Sequence, residues 1–363
     1  NEVTVENSGK WHNAETSRDQ YDWGMLDEAY QFAKKNGYTF RYHTLFWGSS
    51  QPNWIDTLSN EEQLEEIHEW LDTLSVKFPD MDYIEVVNEP IYRPPFGNGT
   101  GNYAKALGGK GETGYDWVIK AFELAKQKFP DAKLMLNETG VMDDEERTEK
   151  YIHLINLLKE RNLIDAVGVQ AHAFSTSESR TFLKAILDKL AQTDLPIIAT
   201  EMDIDGVDPQ GNLDDNKQLI NYQRIFPVFW EHPAVIGINL WGWRPGLWRH
   251  DAGAYLIMEN GRERPALRWL RAYVDHKIIN GTSIRNTSDI KIRNRSNRTS
   301  ITSQNDTLHF ISEIYPTNDA IKKTIWSLDN QEVAKMNSNG MFIPKNNGLV
   351  TVIGTTPDGS GKH

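Results

Sequence analysis

From Val3 to Leu240, short runs rich in β-branched residues alternate with longer amphipathic stretches, and few architectures tolerate that rhythm. The strand-like runs are Val3–Val5, Tyr38–His43, Tyr83–Val87, Leu134–Leu136, Ala166–Val169, Ile197–Ala199 and Val235–Leu240. Helical spacing fills the gaps over Trp23–Lys35, Glu61–Phe78, Tyr115–Phe129, Glu145–Arg161, Thr181–Leu190 and Asn216–Phe229, and Pro265–Val274 follows the last strand. A βα alternation this long means a parallel sheet, either doubly wound or closed into a barrel.

Polar and aromatic residues collect just after the strand ends: His43, Asn88-Glu89, Asn137-Glu138, Gln170 with His172, Glu201 with Asp203, and Trp241. A doubly wound sheet puts its ligand at one switch point, whereas a (β/α)₈ barrel draws functional groups from many strand ends. The barrel is therefore the expected fold, over residues 1–278. A barrel needs eight strands and seven runs are present, so the first βα unit is expected to be missing from this chain.

A polar, turn-rich stretch over 279–288 reads as a linker. Residues 279–363 carry ten Lys+Arg against seven Asp+Glu, while the whole chain has a net charge of -12, so the two parts differ in composition. Short alternating segments at Leu308–Ile311, Lys323–Trp326, Glu332–Ala334, Met341–Ile343 and Leu349–Ile353, with turns at Asn339-Gly340 and Asn347-Gly348, predict a small all-β sandwich over 289–363.

The acidic balance repels phosphate backbones and argues against nucleic acid as the main partner. No apolar run is long enough for a membrane helix, and the first residues lack the pattern of a signal peptide. With no cysteine, a disulfide framework, a thiolate metal site and a Cys nucleophile are excluded. Chemistry must come from carboxylates, His, Ser, Lys or Tyr.

Glu89 and Glu201 each follow a buried strand, and in a barrel these ends open on one face. Two such carboxyls are the minimum equipment for glycoside hydrolysis: an acid for the leaving oxygen and a carboxylate to attack or to activate water. Two solvated acids at strand ends are the plainer reading of any one pair of Glu. What shifts it is His172 at a neighbouring strand end and Asp203 two residues from Glu201, which permit a Glu-His-Asp hydrogen-bond relay. No second His lies at ligand spacing, so no metal and no cofactor are expected. Trp47, Trp241 and Trp248, with His43 and Lys10, add flat apolar faces and donors around the same rim, as a sugar site requires.

These residues resemble the endo-β-1,4-xylanases of glycoside hydrolase family 10. The likeness runs in order through Asn1–Trp11, His43–Trp47, Val86–Glu89, Gly168–His172, Thr200–Asp203, and Trp241-Gly242 with Trp248-Arg249. It implies a (β/α)₈ barrel and a retaining double displacement on xylan and xylo-oligosaccharides, with Glu201 as nucleophile and Glu89 as acid/base. Retention sets the two carboxyls about 5–5.5 Å apart. The resemblance also implies that Asn88 binds the sugar 2-hydroxyl and that His172 and Asp203 orient Glu201. Glu6, Asn7 and Lys10 would grip the next xylose, while His43, Trp47, Gln170, Trp241 and Trp248 line the point of cleavage. Asn137-Glu138-Thr139 stands where the family has Asn-Asp-Tyr, which implies a lost aromatic contact on the leaving-group side. Pro90–Gly111 resembles an enlarged loop beside the acid/base. The C-terminal segment resembles bacterial Ig-like group 2 modules, which implies a secreted or cell-surface bacterial protein, here expected to be a monomer. The alternatives are a non-catalytic glycan-binding or adhesion protein with an incomplete barrel, and a barrel hydrolase acting on β-glucan.

Overall fold

A computed structural model describes residues 1–95, 103–274, 289–296, 298–315 and 324–355. The chain divides into two compact units, Asn1–Tyr255 and Leu256–His363. The expected linker at 279–288 and part of the expected enlarged loop lie outside the described residues.

The first unit runs β1 (Glu2–Val3), α1 (Trp11–Ala14), α2 (Gly24–Asn36), β2 (Thr39–Trp47), α3 (Asn60–Lys77), β3 (Tyr83–Asn88), α4 (Asp116–Lys128), β4 (Lys133–Glu138), α5 (Glu145–Lys159), β5 (Ala166–Val169), α6 (Arg180–Ala191), β6 (Ile197–Met202), α7 (Asp215–Trp230) and β7 (Val235–Leu240). The seven strands form one sheet in chain order, and every pairing in it is parallel. The first and last strands come within side-chain reach of each other. Glu2 Oε1 accepts from Asn239 Nδ2 of β7 at 3.3 Å and from Arg41 Nε of β2 at 2.8 Å, so one carboxylate spans the seam.

Helix ends are written locally in the sequence. Ser59 caps α3 through a reciprocal capping box with Glu62, Asp144 caps α5, and Ser179 caps α6. Each such cap satisfies orphan backbone donors and stabilises by about 1 kcal/mol. α2 stops at Gly37, whose φ of 65° belongs to the left-handed region that glycine enters freely. β5 and β6 are buried along their whole length, because helices cover a parallel sheet on its outer face.

The interior of this sheet is not purely apolar. Arg41 and Glu85 are fully buried and ion-paired, and Arg41 Nη2 crosses from β2 to donate to the Thr200 carbonyl of β6 at 2.9 Å. His43 Nδ1 lies 2.7 Å from Glu85 Oε2. Removing one partner from such a set leaves a buried charge without compensation, typically at a cost of about 3–5 kcal/mol. The network thus links β2, β3 and β6 through side chains inside the sheet.

The second unit contains α8 (Pro265–Val274), then β8 (Asp289–Asn294), β9 (Leu308–Tyr315), β10 (Ile325–Leu328), β11 (Ala334–Met336), β12 (Met341–Pro344) and β13 (Val352–Thr355). These strands make a four-stranded sheet, β11-β12-β9-β8, and a two-stranded one, β10-β13, all antiparallel. Among the described residues, Leu308, Leu328, Ala334 and Phe342 form one buried cluster of these strands. The expected Asn339-Gly340 turn joins β11 to β12, with Gly340 at φ 80° and Asn337 Oδ1 accepting from the Asn339 and Met341 amides. Among the described residues, no helix is long and apolar enough to cross a membrane.

Candidate active site

Glu201 closes in on the interior from β6 and is 5% exposed. Its Oε1 accepts from Asn137 Nδ2 at 2.6 Å, and its Oε2 lies 3.4 Å from His172 Nε2. His172 Nδ1 in turn meets Asp203 Oδ2 at 2.6 Å, and Asp203 Oδ1 accepts from the Ala173 amide at 2.9 Å. The relay of carboxylate, imidazole and carboxylate is therefore continuous.

Its electrostatics follow from burial set against charge. Burial opposes an imidazolium, but the hydrogen bonds and charges of Asp203 and Glu201 outweigh it and raise His172 to about 9. Both ring nitrogens then donate at neutral pH. Burial likewise opposes ionisation of Glu201, yet the hydrogen bond from His172 and nearby positive charge, including Arg41, hold its carboxyl well below the usual range. Glu201 is an ionised, desolvated carboxylate.

Glu89 has the opposite character. It lies just beyond β3 at φ 53°, a left-handed conformation that costs a non-glycine residue on the order of 1–3 kcal/mol. Two backbone hydrogen bonds hold it there, its amide to Asn137 O and its carbonyl from the Arg93 amide, both at 2.8 Å. Gln170 Nε2 donates to Oε1 at 2.9 Å and Trp47 Nε1 to Oε2 at 3.0 Å. Burial raises its pKa, and the negative charge of Glu201 adds to the rise, against these two donors.

Asn88, the last residue of β3, accepts through Oδ1 from Asn137 Nδ2 at 3.0 Å and from Gln170 Nε2 at 3.2 Å. Asn137 is thereby the hub of the site: it also accepts from Thr200 Oγ1 at 2.6 Å, which fixes which way its amide points. Around this centre Lys10 Nζ donates to Asn7 Oδ1 at 2.8 Å and sits 4.8 Å from the centroid of Trp47. Burial lowers the Lys10 pKa, opposed by the charges of Glu201, Glu6 and Glu89. Glu6 Oε2 accepts from the Trp248 amide at 3.3 Å.

His43 is pushed down to about 3 by burial and is neutral, so its Nδ1–H donates to Glu85; Trp241 packs edge-on against it at 5.4 Å. Trp248 lies 5.6 Å from the His172 ring and stays 43% exposed. Gly242 follows Trp241 at φ 61°, and a Cβ there would meet the Trp248 carbonyl at 2.2 Å, so only glycine allows the loop to fold back.

Every site residue expected from the sequence thus falls in one connected set. Asn137, Arg41 and Glu85 were not among them. Asn137 stood in view as a polar strand end, and the signal for the other two was a charged residue inside a β-branched run. Two groups also bring potential metal ligands together among the described residues: His43, Glu85 and Glu201, and Glu15, Asp19 and Glu66. In the first Arg41 already pairs with Glu85, and in the second Arg18 pairs with Glu66.

Comparison with known proteins places this geometry. The chain is 36% identical over 272 residues to endo-1,4-beta-xylanase B of Cellvibrio japonicus, a match covering 74% of this chain and 42% of that protein. It is 28% identical to endo-1,4-beta-xylanase B of Thermotoga neapolitana, over 77% of this chain and 82% of the relative. Among solved structures, native xylanase 10B from Thermotoga maritima superposes with a TM-score of 0.63 at 25% identity, over 75% of this chain and 85% of that one. The sequence model of Glycosyl hydrolase family 10 matches residues 1–273, which carry the barrel strands and both central carboxyls, and the chain belongs to that family.

Proposed function

We propose that the chain is an endo-β-1,4-xylanase that cleaves internal xylosidic bonds with retention of anomeric configuration. The observation that carries this reading is the pairing of two buried carboxyls with opposed protonation, Glu201 held ionised and Glu89 pushed up, inside one hydrogen-bonded set. The names of the relatives agree with it.

Glu89 protonates the glycosidic oxygen while Glu201 attacks the anomeric carbon from the opposite face, forming a glycosyl-enzyme and releasing the leaving chain. Esterification removes the negative charge of Glu201, one of the causes that raise Glu89. The acid's pKa therefore falls once it has given up its proton, and it becomes a base toward the incoming water. The Asn88 amide donates to the 2-hydroxyl, a hydrogen bond that strengthens in the transition state as positive charge builds on the neighbouring anomeric carbon. His172, oriented by Asp203, steadies Glu201 as nucleophile and leaving group. Lys10, Asn7 and Glu6 bind the neighbouring xylose, Trp47 and Trp248 supply apolar faces, and no cofactor takes part.

A polymer substrate too large to cross a membrane suits a secreted or cell-surface setting. The all-β part of the second unit is read as an Ig-like spacer on a monomeric enzyme. Reducing-sugar release from xylan, with β-glucan in parallel, tests the function. Release from xylan that falls to background in Glu201→Ala supports it; release from β-glucan alone, or appreciable activity in the variant, refutes it.

A further inference from the structure

The all-β part of the second unit holds a cavity of about 640 Å³, walled by the segments 298–304 and 346–352. That volume is in the range of small-ligand sites. Its floor is apolar: Leu308 and Phe342, both members of the buried cluster, line it together with Phe310 and Val352. The rings of Phe310 and Phe342 lie 6.3 Å apart between centroids, inclined at 55°.

The walls are of another kind. Thr299, Ser300, Thr302, Ser303 and Asn347 line the cavity and are exposed. A gap left by imperfect packing is enclosed by apolar side chains, whereas this one sets hydroxyls and amides above an apolar floor, the composition of a ligand site.

Charge narrows the class of ligand. Among the lining residues only Arg298 is charged, and its guanidinium donates to Asp306 Oδ2 at 2.5 Å and to the Thr307 carbonyl at 3.4 Å. No carboxylate lines the cavity to hold a cation, and no cluster of basic groups lines it to hold a phosphate or a uronate. The lining suits a neutral, polyhydroxylated molecule with an apolar face.

Both walls are held in place by their own hydrogen bonds. Asn294 Nδ2 donates to the Arg298 carbonyl at 2.5 Å and Gln304 Nε2 to the Lys345 carbonyl at 3.0 Å, so the segment 298–304 is tied at each end. On the other wall the Asn346 amide and side chain donate to the Val333 and Glu332 carbonyls at 3.1 and 2.8 Å, and the Thr351 amide donates to Asp329 Oδ1 at 2.7 Å. Loops ordered in advance spare a ligand the entropy of ordering them.

We propose that this cavity is a second carbohydrate site, which holds the neutral xylose chain of xylan on its apolar floor and between its hydroxyl and amide walls. The choice of xylan among neutral glycans rests on the xylanase reading. A β-linked xylose carries hydroxyls around its edge and C–H bonds on both faces, which match wall and floor. On an insoluble polymer two sites in one chain act together, so the second strengthens retention beyond what the cleft alone provides.

The test uses the full chain with Glu201→Ala, so that insoluble xylan is not cleaved while binding is measured. Thr302→Trp in that background puts a bulky side chain at an exposed wall position and is expected to raise the apparent Kd for insoluble xylan about tenfold. Leu349→Asp, at a lining residue that is 95% exposed, is expected to raise it in the same direction. Lys335→Trp, an exposed position next to the buried Ala334 of β11 and outside the cavity lining, is expected to leave it unchanged. An apparent Kd unmoved by both wall variants, or moved equally by all three, overturns the site. Cellulose held as tightly as xylan, and released by the same variants, overturns the assignment to xylan. Reducing-sugar release from xylan by the wild type separates this inference from the reading it rests on. Cleavage with no effect of the wall variants on binding overturns the site and leaves the xylanase standing; cavity-dependent binding to xylan by a chain that does not cleave it supports the site and overturns the xylanase.

Discussion

Glu89 and Glu201 are the same amino acid, and their division of labour comes entirely from neighbours. Both are buried, which alone pushes each carboxyl up. Glu201 escapes because His172, backed by Asp203, donates to it; Glu89 does not, because its donors are the neutral Gln170 and Trp47. The Gln170 hydrogen bond lowers the Glu89 pKa, so Gln170→Ala raises it further and moves the alkaline limb of the kcat/KM profile to higher pH. The acidic limb, set by ionisation of Glu201, stays in place. A pH profile on xylotetraose checks this, and an alkaline limb that stays put or moves down would count against the roles given to the two residues.

At the scale of elements, function depends on loops being tied to strand ends. Glu138, the last residue of β4, accepts from the Ile91 and Thr139 amides at 2.8 and 2.9 Å and so joins the segment after β3 to β4. Burial raises its carboxyl to about 8 although two backbone donors favour the charged form. A folded-state pKa above the ordinary value of 4.5 contributes stability that is complete below that value and is lost as pH rises toward 8. The urea midpoint of the wild type should therefore fall between pH 5 and pH 8, and Glu138→Gln should flatten part of that fall. Equal slopes in the two proteins would show that Glu138 is not the group responsible.

Most elements were legible in the sequence because period and caps agreed. The helix expected over Glu61–Phe78 is Asn60–Lys77, and that over Glu145–Arg161 is Glu145–Lys159. β2 runs on to Trp47 instead of ending at His43, through a register shift between His43 and Phe46 that no local pattern announces. β8 went unread because Asp289–Asn294 alternates over too few apolar residues to stand out from the polar stretch before it. The site was legible where its residues lie at strand ends. It was not legible where they act across the interior, as Arg41 does in reaching Thr200, 159 positions away. Nor could spacing show that Phe174, far from Thr139 in sequence, lines the same cavity.

At the scale of the whole molecule, the strand ends of one parallel sheet bring an ionised carboxylate and a raised carboxyl together. The Arg41–Glu85 pair and the Gly242 turn support the side chains around those two groups. As the proposed nucleophile, Glu201 would carry the sugar as a covalent ester. Incubation with a 2-deoxy-2-fluoro-xylobioside bearing a good leaving group slows release of that ester enough to trap it, and peptide mass spectrometry then locates it. One glycosyl group per chain is expected, on the peptide containing Glu201. An adduct on another carboxylate, or none from a chain that still cleaves xylan, would contradict it.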